Sequence, residues 1–455
     1  MNTSLTQGLG QFVAQPPFSQ VPDQALSLLR NAFVDTVACL FSGKQEPVTQ
    51  AALELVRERG SRGSVSVLFG TLRLNPMDVA FVNAVSAHAL DYDDMALNGH
   101  PSVVLVPALL AVGQARKASD HELLRSYLVG YEVWAELVGR EPDSLHNKGW
   151  HPTSVVGTVA VAAAVAHLEQ LDASVAAHAL GMAASLACGL MGNFGSMTKP
   201  LHAGWAASHG IEAVRLAQRG VTASVHVLES ATGYLAALSP EGKADRSAWS
   251  PPAELRWQRA GLSIKKYPVC YAAHRVIDGV LDLRQRHAFK AEDVQRFVPT
   301  LSDVTRRVLH AHLPTTALQA KFSIEFACAM AALEGAVGLP QVTDAQVTRP
   351  ELQALMSRVA AQTVPASCPI EPGFALYDQV RIELRDGTVL DSGPIRFARG
   401  HALLPLAQED IRTKWKGCLA HEADARLALL DRLERLGDRA QAPLTVWLDQ
   451  HPFHE

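Results

Sequence analysis

Between Asp23 and Gln218 one pattern recurs: a capping residue or proline, then a helix-length apolar run rich in Ala and Gly. Small side chains let helix axes come close, so the pattern predicts a compact multi-helix core. Helices are expected over 23–41 with Asp23 as cap and Gly43 as stop, and over 77–90 behind Asn75-Pro76. Others should run from the Ser119–Glu122 capping box to about Gly139, over 172–190, and over 201–218 ahead of Gly220. Residues 155–166 are apolar but too short and Ala-rich to span a bilayer.

The pattern changes near Ala260. Residues 259–264 and 294–301 read as strands, and 274–286 and 322–337 as helices, the last stopped by Gly338 and Pro340. Val380, Ile382 and Leu384 alternate with Arg381, Glu383 and Arg385 before Asp386-Gly387, which predicts a hairpin. Helix returns over 410–419 and 422–436. The expected fold is mainly α: a large all-helical domain, residues 1–263 and 400–455, interrupted by a smaller α+β lid domain, residues 264–399.

A net charge of -4, with no basic run, gives nucleic acid nothing to hold. The six cysteines form no CxxC and no Cys/His zinc spacing. The opening MNTSLTQGLGQFVAQ lacks the basic and apolar regions of a secretion signal. A protein of the reducing cytoplasm, away from membranes, is expected. P-loop, GxGxxG, nucleophile-elbow and HExxH patterns are all missing, so cofactor chemistry has no sequence support.

Histidines, acids and lysines gather where loops meet helices, the usual place for function. HALDYDD, residues 88–94, puts Asp91, Asp93 and Asp94 at a helix C-terminus, where acids oppose the macrodipole and so are not explained by local stability. They read as a solvated helix end, a metal-like cluster or the acidic part of a catalytic site. His100-Pro101-Ser102 and His151-Pro152-Thr153 each open an apolar helix; either start serves initiation alone, or both aim amides and imidazoles at one anion. Lys199 stands between Thr198 and Pro200 in apolar company, and is either paired, facing a cleft, or snorkelling. KKYPVCYAAHR brings Lys265, Lys266 and His274, and Lys321 precedes another helix start.

Taken in order, HALDYDD, GHPS with VPALLAVG, GYEVWAELVGR, GWHPTS, FGSMTKPLHAG, KKYPVCYAAH and KFSIEF resemble the MmgE/PrpD family over most of the chain. That family includes 2-methylcitrate dehydratases, cis-aconitate decarboxylases and iminodisuccinate epimerases. The resemblance implies a homodimer, a site between helical domain and lid, a small polycarboxylate substrate, and no cofactor. It carries catalytic roles onto Asp91, His100, His151, Lys199 and His274. Ser102, Thr153, Lys266 and Lys321 are expected to bind substrate. GHPS and FGSMTKP look closest to the epimerase branch, and Met95 stands where a decarboxylase or dehydratase often has Thr, removing a polar contact.

The expected chemistry is removal of a proton beside a carboxylate. Asp91 with Lys199 or His151 forms the base system, and His274 is the acid from the lid. Two rivals stand beside it: a non-catalytic polycarboxylate binder of the same fold, and a metal hydrolase using the aspartates.

Overall fold

A computed structural model describes residues 4–371, 373–419, 425–438, 440–451 and 453. The first half is a helical assembly: α1 (Leu5–Ala14), α2 (Asp23–Ser42), α3 (Pro47–Glu58), α4 (Pro76–His88), α5 (Pro101–Arg116), α6 (Asp120–Gly139), α7 (Pro152–Leu168), α8 (Ala173–Leu186) and α9 (Thr198–Ala217). α7 is apolar on every side and lies at the centre, with residues 155–166 essentially inaccessible. Small residues set its contacts. A Cβ on Gly210 of α9 would sit 2.5 Å from Val161 Cγ1, and one on Gly204 would sit 2.5 Å from Val85 Cγ2 of α4. The Ala- and Gly-rich faces are therefore close-approach surfaces, as their composition predicts.

Caps follow the local sequence. Ser119 and Glu122 close the expected capping box, and Asn75 accepts from the Asp78 amide ahead of Pro76. Asp23 does not cap α2; Pro22 holds that position and Asp23 lies in the first turn. α2 is apolar and long enough to cross a bilayer, yet most of it is buried in the helical core. α8 stops at Leu186, short of the expected 190, because Ala187 turns extended and Leu190 bridges Trp150. α9 begins at Thr198, so Lys199 sits in its first turn.

The expected strand at 259–264 is instead a helical turn, Trp257–Ala260, broken at Gly261 with φ 59°. Only Ser263 pairs, in a two-bond antiparallel bridge with Met95. Beyond it a mixed sheet runs in the order Gln362–Val364, Val294–Ser302, Gln379–Leu384, Val389–Asp391. The first pair is parallel and the rest antiparallel, with Phe297 opposite Ile382 and Ile382 opposite Leu390. The hairpin is where the alternation put it. Helices His274–His287 and Ile324–Glu334 cover the sheet's inner side; the latter is shorter than expected because Ser323 caps it and Gly335 adopts φ 68°.

Two large apolar cores result, with a small third cluster of Tyr271, Cys368, Phe374 and Ala398. One joins residues 5–264 to 411–453, and the other spans 267–390. Helix Gln408–Cys418 returns to pack Trp415 and Lys414 against α2. A helix Ala425–Glu434 follows, while the expected start at Glu422 lies outside the described residues.

Candidate active site

α4 ends at His88, and the chain then leaves helical geometry through Asp91, held at φ 53°. Aspartate is one of the few residues besides glycine that visits this region readily. The turn buries all three aspartates of HALDYDD, with Asp91 at 3% exposure and Asp93 and Asp94 at 0%. A solvated helix end is excluded.

The Met95–Ser263 bridge lays this turn beside residues 263–267 and delivers Lys265. Its Nζ donates to Asp91 Oδ1 and to the Asp91 carbonyl, both at 2.8 Å. Lys199 Nζ reaches the same Oδ1 at 2.7 Å from the start of α9. Burial works against an ionised Asp91, but Lys199 and Lys265 outweigh it and hold the carboxyl well below the usual range. Asp91 Oδ2 is buried with no hydrogen-bond partner among the described residues. The Lys199 ammonium also lies 5.1 Å from the ring centres of both Phe194 and Phe322.

Two imidazoles complete the ring. His100 and His151 occupy the N-cap positions of α5 and α7, each followed by a first-turn proline. The repeated His-Pro device therefore serves one place: the ring centroids are 6.5 Å apart. Asp93 spans two histidines, with Oδ1 2.9 Å from His88 Nδ1 and Oδ2 2.9 Å from His100 Nδ1. His100 Nδ1 hydrogen-bonds to the Asp94 carbonyl at 2.8 Å, and a neutral imidazole that gives its Nδ1 proton away keeps a lone pair on Nε2. His100 Nε2 lies 3.8 Å from Asp91 Oδ1. His151 pairs differently, Nδ1 to Nδ1 of His202 at 3.0 Å.

Asp91, His100, His151, Lys199 and Lys265 share one small cavity of about 70 Å³. Its far wall comes from the C-terminal half of the chain: Cys270, Tyr271, Val304, Phe322 and Phe374. Cationic and imidazole groups on one side and apolar residues on the other suit a small anion excluded from water.

The remaining expected residues stand outside the lining. His274 is fully buried between Tyr267 and Tyr271, with Nε2 3.2 Å from the Val269 carbonyl. Ser102 pairs with the Tyr127 hydroxyl at 2.6 Å, and Thr153 Oγ1 accepts from the His100 amide. These two brace the helix starts. Lys321 Nζ donates to the Ala89 carbonyl at 3.3 Å, and burial lowers it to about 8. Lys266 is half-buried, its carbonyl taking the Tyr92 hydroxyl. Lys265, not Lys266, reaches the cavity. His146 lines it too and was not anticipated. His202 was legible in principle, because positions 199 and 202 share a helix face.

Four groups, His88, Asp91, Asp93 and His100, place ligand atoms within 4.8 Å of one another. They do not fit a divalent cation. Asp91 already answers two ammonium groups and Asp93 two imidazoles, so a dication would displace or face Lys199 and Lys265.

Residues 7–247 match the MmgE/PrpD N-terminal domain, and residues 267–434 the MmgE/PrpD C-terminal domain. The chain belongs to the MmgE/PrpD family. Curated relatives of this MmgE/PrpD protein include the cis-aconitate decarboxylase of Homo sapiens, 30% identical over 91% of this chain and 88% of that one. The Mus musculus cis-aconitate decarboxylase is 28% identical over 96% and 92%, and that of Aspergillus terreus 23% over 81% and 80%.

The site's histidines give a stability prediction. Burial takes His88 to about 4 and, helped by Lys199, His146 to about 3 and His202 to about 4. The unfolded chain therefore binds protons first. The stability these histidines contribute should be complete above pH 6.5 and fall as pH drops toward about 4. Urea midpoints at pH 7.5 and pH 5 check this; equal midpoints would mean that the imidazoles are not held neutral.

Proposed function

We propose that this protein is a cofactor-independent lyase or isomerase that removes a proton from the carbon beside a carboxylate of a small di- or tricarboxylic acid. One observation carries the reading: two buried ammonium groups share Asp91 Oδ1 at the edge of a cavity fringed by His100 and His151. A polycarboxylate would exchange its water for Lys199, Lys265 and the helix N-termini of α5 and α7. Its negative charge would raise the proton affinity of the imidazoles beside it. His100, its Nδ1 held by the Asp94 carbonyl beside the Asp93 carboxylate, is then suited to accept the proton, and the ammonium groups to hold the enediolate that forms.

The decarboxylase relatives favour carbon dioxide as the leaving group; the C–C bond then breaks in place of C–H, and the carbanion left behind takes a proton from the site instead of giving one to it. A second reading, epimerisation, has its own support. Two imidazoles with independent proton partners border the cavity, and Met95 packs against the cluster of Tyr271, Cys368, Phe374 and Ala398. Incubation with cis-aconitate, 2-methylcitrate and chiral amino- or hydroxydicarboxylates separates the readings. Loss of carbon dioxide supports the first, and racemisation at constant mass the second. Binding without any conversion would leave a polycarboxylate binder. Activity should survive a chelator; its loss would restore the metal hydrolase. A cytoplasmic homodimer belongs to the same proposal, and sedimentation at micromolar concentration checks the dimer.

A further inference from the structure

His202 lies outside the cavity lining, yet its side chain makes one specific contact. Its Nδ1 is 3.0 Å from His151 Nδ1, and both residues are buried, at 2% and 1% exposure. Two ring nitrogens at that distance share one proton, so the tautomers of the pair are locked in opposition. The neutral pair has two states. In the first, His202 donates to His151 and His151 presents Nε2–H to the cavity. In the second, His151 donates to His202 and presents a bare Nε2.

We propose that His202 is the relay partner of His151, switching it between acid and base without forming an imidazolium. In the acid direction the carbanion takes the His151 Nε2 proton, and the new C–H bond forms as N–H breaks. The His202 Nδ1 proton moves to His151 Nδ1, and water gives a proton to His202 Nε2. One proton enters as one leaves, and both rings are neutral before and after. The reverse sequence makes His151 a base and returns the proton to water.

The surroundings favour this over a single charged imidazole. Lys199 stands near His151 and opposes a second positive charge there, as does burial. The proton to the outer nitrogen comes from water in this proposal: no hydrogen-bond partner of His202 Nε2 occurs among the described residues, and the neighbouring segment 187–189 is only half-buried. Gly189 lies directly against the ring, where a Cβ would be 3.4 Å from His202 Cγ. The backbone is fixed as well. Ser154 Oγ donates to the His202 carbonyl at 3.1 Å, and the Gly189 carbonyl takes the His151 amide at 3.1 Å.

The inference rests on the proton-transfer reading above, so its test has one arm that needs no substrate. Glutamine at 202 can accept from or donate to His151 but cannot pass a proton on; phenylalanine can do none of these. Both His202→Gln and His202→Phe should lower kcat on the order of 100-fold, with KM little changed and the melting curve intact. Full kcat in His202→Gln would reduce His202 to an orienting group and overturn the relay. In the second arm, the His151 ring nitrogens are followed by 15N NMR. The wild type should show both nitrogens averaged between protonated and bare. A fixed His151 tautomer in the wild type overturns the relay whatever the substrate. A wild type inert toward every acid tried counts against the proposed function, while the NMR arm still decides the relay.

Discussion

Asp91→Asn should lower turnover by about 10³-fold or more while leaving the protein folded. The amide keeps the shape of the carboxylate but none of its charge. Lys199 Nζ and Lys265 Nζ, both within 2.8 Å of Oδ1, would then face each other without an anion between them. Breaking a buried ion pair by removing one partner costs about 3–5 kcal/mol. Part of that cost should appear as a lower melting temperature and part as displaced ammonium groups. Substrate carboxylate restores the missing charge, so the variant should be more strongly stabilised by a bound dicarboxylate than the wild type is. Steady-state kinetics beside thermal melts, with and without ligand, read both effects.

Lys414→Met should produce the largest loss of stability away from the cavity. Lys414 reaches in from the last third of the chain and ties three segments together. Its Nζ meets Asp35 Oδ1 at 2.6 Å, the Tyr92 carbonyl at 2.6 Å and the Lys265 carbonyl at 3.0 Å. Asp35 on α2 is 1% exposed. Methionine fills the space but leaves that carboxylate without its cation, at a cost of about 3–5 kcal/mol. The unpaired Asp35 can escape by binding a proton. Its folded pKa then rises further above the unfolded value, so the penalty is greatest at neutral pH and shrinks as pH falls toward 4. Denaturant midpoints for the variant should therefore approach those of the wild type under acid conditions. Activity should fall too, since Lys414 holds the backbone on either side of the Asp91–Lys265 contact.

The helical half of the fold was legible because its signals are local. Capping boxes, first-turn prolines and Ala/Gly faces act within a turn or two, and α4, α6 and α9 followed them closely. Errors arose where a tertiary contact decided the conformation. Residues 259–264 look extended, but Gly261 and the lone Met95–Ser263 bridge set their path. That bridge also explains why Lys265 and Lys266 could not be told apart. Adjacent lysines differ only in which side of the segment they face, and a bridge partner about 170 positions earlier in the chain sets the side. The two His-Pro starts were readable as a pair, because a helix N-terminus has few uses for a buried imidazole beyond an anion. His274 was carried by resemblance, and its ring is packed among tyrosines behind the cavity wall. His146 gave no local signal, sitting on a short turn, His146–Lys148, that only the folded chain brings to Phe194.

The claim that Asp91, its two lysines and the flanking imidazoles move a proton at carbon is tested most directly by exchange. Wild type and Asp91→Asn are incubated with a panel of di- and tricarboxylates in D2O containing a chelator, and the acids are analysed by NMR. The wild type is predicted to place deuterium on the carbon beside a carboxylate of at least one acid, and Asp91→Asn to place almost none. Tight binding of those acids by the wild type with no deuterium incorporated would contradict the account.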